Sequence, residues 1–240
     1  MKVATSHILV TGANRGIGKS LVEVALEFGA ARVYATARDE ESLHGLQSRF
    51  GDRLVPLVID LTKPDSIVKA ATRVEKLDLL INNAGVLSSA GLVSGRIEEI
   101  ERDMQTNYFG TLAVTRAFLP AIERSRGSIA NLLSVVALAS MPGLGAYSAS
   151  KAAALSLTQA LRGELIKRGV HVHAVFPGPV DTDMAREITL PKTAPDVVAR
   201  AIYAAIGRGE EDIFPDAMAQ QVGGQWLKAP KEIERMFGAM

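Results

Sequence analysis

A chain of 240 residues is long enough to bury a substantial core in one large domain or two small ones. Its 27 basic residues nearly balance 26 acidic ones, and a net charge of +1 argues against a nucleic-acid or anionic-membrane partner. Composition is globular, with 48% hydrophobic and 22% charged residues; the lack of cysteine excludes disulfides, cysteine nucleophiles and thiolate metal sites and agrees with a cytoplasmic setting.

The chain opens with MKVATSHILVTG, whose apolar segment is too short before its glycine for a signal peptide. HILVT (7–11) reads as a first strand, and VTGANRGIGKS leads from it into a helix predicted over 16–28. Gly12, Gly16 and Gly18 in a GxxxGxG spacing allow tight turning, and a helix start offers free amides to phosphate. Such glycines also serve purely structural turns, but their place between strand and helix favours a phosphate cradle. This is not a P-loop, because the GKS at 18–20 lacks a second glycine at the required distance.

RVYATA (32–37) reads as the second strand. At its end a dinucleotide-binding fold places an acid for the ribose hydroxyls. That slot aligns with Ala37, followed by Arg38, and an arginine there suits a 2′-phosphate, with Arg15 of the loop as a second contact. Both arginines also fit solvated surface charges, and a two-residue shift would put Asp39 in the acid slot. NADP(H) is the favoured cofactor, with NAD(H) possible on the second alignment.

Further strands are predicted at LVPLVI (54–59), LDLLIN (77–82), SIANLL (128–133) and VHVHAVF (170–176), with EDIF (211–214) as a last one. Between them, 64–74, 96–123 and 147–168 are long enough for helices. Continuous apolar strands alternating with helices indicate a parallel sheet covered on both faces, and no linker divides it, so residues 1–240 read as one domain. Residues 127–150 carry no charge and could span a bilayer by length, but their serines, glycines and proline favour a buried strand and loop. The tail from Pro215 to Met240 has no clear placement.

AYSASKAA (146–153) puts Tyr147 and Lys151 on one helix face, where an ammonium beside a phenol favours the phenolate. His171 and His173 alternate onto one strand face, but with no acidic or cysteine partner they read as structural, and no metal site is assigned.

TGANRGIG, NNAG (82–85), YSASK (147–151) and FPGPVDT (176–182) occur in order and at matching separations. Over about residues 6–183 the chain thereby resembles the classical short-chain dehydrogenases/reductases. The resemblance implies a single-domain, Rossmann-like, doubly wound α/β fold with about seven parallel strands. It makes Tyr147 the general acid/base, Lys151 the residue that lowers its pKa and holds the nicotinamide ribose, and Ser134, thirteen residues before Tyr147, the donor to the substrate oxygen. Ser128 and Ser140 miss that spacing. Asn107, in MQTNYFG, would position a water between Lys151 and solvent; a helix kink or a buried hydrogen bond would also explain it.

The same resemblance implies that Gly12, Asn14, Arg15, Gly16, Ile17 and Gly18 form the cofactor loop. Asp60 and Leu61 would meet adenine, and Asn83, Ala84 and Gly85 the adenosine ribose. Pro177, Gly178, Val180 and Thr182 would fix the carboxamide. The sequence departs from the pattern at His173, where asparagine is usual, in a short approach to NNAG, and in a compact substrate loop and C-terminal region over 183–240. Val135, Val136, Leu138, Met141, Leu144, Met184, Ile188 and Leu190 suggest an apolar pocket wall, and Asp181, Asp183, Arg186 and Glu187 a charged rim.

The expected activity is hydride transfer between NADP(H) and a small-molecule ketone, aldehyde or secondary alcohol that is uncharged and largely apolar. A 3-oxoacyl carrier-protein reductase docking through Arg124, Arg126 and Arg168 is one alternative; a non-catalytic NADPH-binding sensor or scaffold is another. The long segments 96–123 and 147–168 carry more apolar surface than one sheet face needs, and the resemblance implies that they pair with a second copy in a homodimer or homotetramer.

Overall fold

Strand periodicity sets the middle layer. In the computed structural model, which describes residues 2–240, the strands are β1 (His7–Val10), β2 (Arg32–Ala37), β3 (Leu54–Val58), β4 (Leu79–Asn82), β5 (Ser128–Leu132), β6 (His171–Val175) and β7 (Asp212–Ile213). They form one seven-stranded parallel sheet in the order β3-β2-β1-β4-β5-β6-β7. Each lies within a predicted strand.

Successive side chains leave opposite faces, so apolar residues are needed at every position. Ile8, Val10, Val33, Ala35, Leu79 and Ile81 join the core on one face, and Leu9, Tyr34, Leu80 and Ile129 the core on the other. The first face is covered by α1 (Gly16–Glu27), α2 (His44–Phe50) and α7 (Pro195–Arg208). The second is covered by α3 (Pro64–Ala71), the helical run α4 (Ile97–Met104) and α5 (Thr111–Ser125), and α6 (Gly145–Leu165). The strand order reverses between β1 and β4, and that switch opens a crevice at the carboxyl ends of the strands.

A polar seam crosses the second core. Asn82 Nδ2 donates to Asn131 Oδ1 at 2.8 Å and to Thr115 Oγ1 at 3.0 Å, while Asn131 Nδ2 donates to Thr158 Oγ1 at 2.9 Å. These bonds pin β4 and β5 to α5 and α6 in one register, because a buried amide without partners would cost about 1–3 kcal/mol.

The helix predicted over 96–123 is not uniform. A π-turn at Gln105–Gly110 separates α4 from α5, and the Asn107 carbonyl oxygen accepts the Thr111 hydroxyl at 2.9 Å within it. Helix α6 starts at Gly145, two residues before the predicted start, and closes in a 3₁₀ turn at Ile166–Arg168. The tail forms α8 (Ala217–Trp226) and α9 (Pro230–Gly238), whose Val222, Ile233 and Phe237 pack on Phe176, Val136 and Tyr147. Among the described residues no helix is long and apolar enough to cross a membrane.

Candidate active site

The crevice is a cleft of about 670 Å³ whose lining comes from the loops after β1 to β6 and from the tail. Its floor at one end is the glycine loop. Gly12 and Gly16 adopt φ of +64° and +55°, the left-handed region that glycine enters without strain. A Cβ on Gly12 would stand 3.0 Å from Ala84 Cα, and one on Gly18 would run into the Gly12 carbonyl oxygen. Gly18 therefore lies under the loop and does not face the cleft. Helix α1 begins with no side-chain cap and no acid in its first turn, which leaves its amides free for an anion.

Two short strands' ends are laced to that loop. The Thr11 hydroxyl accepts the amides of Asn83 and Ala84 at 2.9 Å each, and Asn83 Nδ2 donates to the Thr11 carbonyl oxygen at 2.7 Å. Asn83 thus holds the NNAG turn against the glycine loop, with Ala84 and Gly85 on the cleft surface beside Asn14, Arg15 and Ile17.

At the outer end, Arg38 and Asp39 both line the cleft. The Asp39 carboxylate accepts the Ser42 amide at 3.1 Å, while Arg38 is exposed. Arg15 Nη1 meets Asp183 Oδ2 at 3.3 Å across the mouth, and Asp183 also takes Arg186 Nη2 at 2.7 Å. Asp60 accepts the Thr62 hydroxyl and amide at 2.7 and 3.0 Å, the hydroxyl bond being the main reason that its pKa is lowered; Leu61 lies beside it on the wall.

The inner end gathers Ser134, Tyr147 and Lys151 on one surface. Ser134 lies two residues beyond β5 and caps the next 3₁₀ turn, accepting the Val136 amide at 3.4 Å. Burial raises the Tyr147 pKa above its ordinary value, and the neighbouring Ser134 hydroxyl opposes that rise. Lys151 Nζ lies 5.6 Å from the Tyr147 ring centroid and donates to the Leu132 carbonyl oxygen at 2.7 Å. Burial pulls the Lys151 pKa down to about 8. Burial is the largest influence on both groups, raising the phenol and lowering the ammonium.

Asn107 is buried on the π-turn and does not line the cleft. Its side chain accepts the Val86 amide at 2.9 Å and donates to the Val86 carbonyl oxygen at 2.9 Å and to Ser150 Oγ at 2.8 Å. The buried hydrogen bonds weighed from sequence are present, on a π-turn.

Pro177, Gly178, Val180 and Thr182 line the far wall. Of the apolar residues predicted there, Val135, Val136, Met141, Leu144, Met184, Ile188 and Leu190 face the cleft, whereas Leu138 packs into the core under the tail. Of the predicted rim charges, Asp183 lines the cleft, while Asp181, Arg186 and Glu187 are exposed outside its lining. Leu87 and Met218 were missed. Met218 comes from α8, and nothing in its local sequence shows that α8 returns to this wall. The same helix is N-capped by Asp216, which accepts the Ala219 amide at 2.9 Å and the Gly178 amide at 2.8 Å.

His173 is buried at the opposite end of the sheet, with Nδ1 at 2.5 Å from the Glu210 carbonyl oxygen, and burial lowers its pKa. A carbonyl only accepts, so Nδ1 carries the proton. No group of three His, Cys, Asp or Glu that could hold a metal ion occurs among the described residues. Arg124, Arg126 and Arg168 sit at the same remote end, where Arg124 donates to the Glu75 carbonyl oxygen at 2.8 Å and Arg168 pairs with Glu123.

Comparison with known proteins agrees with this geometry. The family model described as short chain dehydrogenase matches residues 6–193. A Burkholderia cenocepacia short chain dehydrogenase solved in complex with NADP superposes with a TM-score of 0.93 at 38% identity, covering 99% of both chains. An uncharacterised oxidoreductase of Staphylococcus saprophyticus is 34% identical over 82% of this chain and 89% of its own. A 3-oxoacyl-[acyl-carrier-protein] reductase of Vibrio cholerae is 35% identical over 75% of each chain. With the glycine loop, the NNAG turn and the Ser134–Tyr147–Lys151 cluster arranged around one crevice, the chain belongs to the classical short-chain dehydrogenase/reductase family, a family of oxidoreductases.

Proposed function

We propose that this protein is an NADP(H)-dependent carbonyl reductase, acting on an uncharged, largely apolar ketone or aldehyde and, in reverse, on the secondary or primary alcohol. One observation carries the reading: Ser134, Tyr147 and Lys151 share a cleft that has a phosphate cradle at one end and an apolar wall at the other.

The cleft's residues fit the dinucleotide. Glycines that no side chain could replace leave backbone room at the start of α1, and unfilled amides there suit a pyrophosphate. Asp39 is occupied by the Ser42 amide, which favours Arg38 over an acid at the ribose and so a 2′-phosphate. The NADP complex of the Burkholderia relative supports the same choice. Asp60 and Leu61 would border the adenine, Asn83 to Gly85 the adenosine ribose, and Pro177 to Thr182 the carboxamide.

When bound, the dinucleotide supplies or receives the hydride. In reduction the carbonyl carbon gains that hydride and the π pair moves to oxygen. Ser134 Oγ donates a hydrogen bond to the developing oxyanion, and Tyr147 gives it a proton. Lys151, charged below about pH 8, favours the phenolate left behind and holds a ribose hydroxyl. Asn107 fixes the loop beside Lys151 and, on the family pattern, places a water that returns the proton. The apolar wall from Val135 to Leu144 and from Met184 to Leu190 selects against charged substrates.

The Vibrio relative keeps a carrier-protein substrate as a second reading. Against it, the arginines expected to dock the carrier lie at the far end of the sheet from the cleft. The test is NADPH oxidation with apolar ketones, aldehydes and a 3-oxoacyl thioester, using Tyr147→Phe as control. Turnover of the simple carbonyls that is abolished by Tyr147→Phe, with NADPH still bound, is expected. Preference for the thioester favours the carrier-protein reading. NADPH binding with no turnover of any carbonyl would favour a sensor or scaffold.

A further inference from the structure

We propose that Asp103 is a positioning residue for the substrate end of the cleft: gripping Ser88, its carboxylate fixes the loop after β4 and thereby the place of Leu87 on the apolar wall. What this does to turnover rests on the reductase reading above; the hold on Leu87 does not.

Asp103 is the one buried residue of α4. An inward-facing helix position ordinarily takes an apolar side chain, because a buried carboxylate gives up its water and must find donors. Here both donors belong to a single residue. Asp103 Oδ2 accepts the Ser88 amide at 3.0 Å and Oδ1 the Ser88 hydroxyl at 2.7 Å. Ser88 is itself buried, and its oxygen accepts Arg102 Nη2 at 2.8 Å. A guanidinium only donates, so Ser88 keeps its own hydrogen to give; the other acceptor in reach, the Glu99 carbonyl oxygen, is farther at 3.3 Å. Two adjacent helix residues thus grip one serine, and neither Asp103 nor Ser88 lines the cleft.

The loop is fastened on both sides of Leu87. Before it, Asn107, one turn beyond Asp103, bonds both the amide and the carbonyl of Val86 at 2.9 Å. After it comes Ser88, and then the Ala90 carbonyl oxygen, which accepts the Ala146 amide at 3.2 Å. A Cβ on Gly145 would stand 2.9 Å from Leu92 Cγ, so the loop lies directly on the first turn of α6, the helix that carries Tyr147. Between these anchors Leu87 lines the cleft and packs against the apolar cluster of Val135, Val136 and Tyr147. An apolar pocket selects by close contact, so a wall residue that drifts loses its discrimination.

The first readout needs no substrate. In protein carrying ¹³C-labelled leucine methyls, the shift difference between the two δ carbons reports whether a leucine keeps one rotamer or averages over several. The Leu87 pair is identified by its absence in Leu87→Met, and Leu80 in the sheet core serves as the control. Asp103→Leu removes both acceptors from Ser88, and should bring the Leu87 pair toward a common, averaged shift while Leu80 is unchanged. Asp103→Asn leaves an oxygen for the Ser88 amide and should keep most of the separation. A merely stabilising carboxylate would loosen both leucines or neither. An averaged Leu87 in the wild type, an unmoved Leu87 in Asp103→Leu, or an equal change at Leu80 overturns the proposal.

Should Asp103→Leu fail to fold, Ser88→Ala takes away the hydroxyl link alone. A smaller movement of the Leu87 pair in the same direction is expected there, and none overturns the proposal. Turnover is read with acetophenone and the smaller butanone as probes. In Asp103→Leu the KM for acetophenone should rise about tenfold with kcat within about twofold, and the KM for butanone should change less. Asp103→Asn should recover most of the loss. An acetophenone KM that stays in place although Leu87 has loosened overturns the link to the substrate wall. A loosened Leu87 in a protein that reduces neither ketone nor any other carbonyl faults the reductase reading and upholds the hold on Leu87.

Discussion

The Asp216 carboxylate accepts the Gly178 amide at 2.8 Å although 38 residues separate them, and its other oxygen caps α8 through the Ala219 amide. Asp216 is buried, and a Cβ on Gly178 would stand 2.8 Å from Oδ1, so glycine is what lets the two approach. This contact fastens the tail to the wall assigned to the carboxamide, and it places Met218 in the cleft.

Asp216→Ala is expected to destabilise the fold by roughly 1–3 kcal/mol, from one lost cap and one half-buried amide left without its partner. Urea denaturation measures the loss. Because Gly178 and Met218 both line the cleft, cofactor affinity should fall as well. Wild-type stability in the variant would show that the contact holds nothing.

Arg38→Ala should weaken NADPH binding by tenfold or more, about 1.4 kcal/mol, while leaving NADH binding nearly unchanged. The guanidinium faces the cleft mouth with Asp39 already engaged by Ser42. Fluorescence titration of both cofactors reads the difference. An equal loss for each would remove Arg38 from phosphate recognition and reopen the choice of cofactor.

Lys151 gives a pH signature in two observables. Turnover should decline as pH rises through about 8, where the ammonium is lost. Stability runs the other way: the folded chain releases this proton near 8 and the unfolded chain near the ordinary lysine value of 10.5, so between those values the unfolded state binds more protons and stability rises with pH. Lys151→Met should accordingly be more stable than wild type at pH 7, on the order of 1–3 kcal/mol, while inactive. The advantage should shrink by pH 10. Chemical denaturation at the two pH values checks both signs, and a variant less stable at pH 7 contradicts the desolvation cost.

The outer sides of the α4–α5 run and α6 carry an exposed Phe109 and the small exposed residues Ala152, Ala160 and Gly163. Small side chains let two copies of a helix approach closely across a two-fold axis. A homodimer or homotetramer mass is expected by light scattering at micromolar concentration. A stable, fully active monomer would show that this face is not an interface.

The sheet was legible in the sequence because a parallel strand covered on both faces needs apolar residues throughout, and HILVT, RVYATA and LDLLIN are short β-rich runs of that kind, alternating with helix-length segments. The glycine loop was legible for a local reason too: positive φ at Gly12 and Gly16 is a property of single residues. Tyr147 and Lys151 share a face through helical spacing alone. Contacts between distant segments were beyond the reach of such periodicity. The short helices α8 and α9 show an amphipathic pattern but not the surface they cover, so neither Met218 in the cleft nor Asp216 at Gly178 could be read. Leu138 and Val136 look alike in sequence; both pack in the cluster under the tail, and only Val136 also reaches the cleft wall. The same holds for charge. Spacing places the Lys151 ammonium near the Tyr147 phenol, but the burial that pulls one pKa down and pushes the other up is set by every element closed around them.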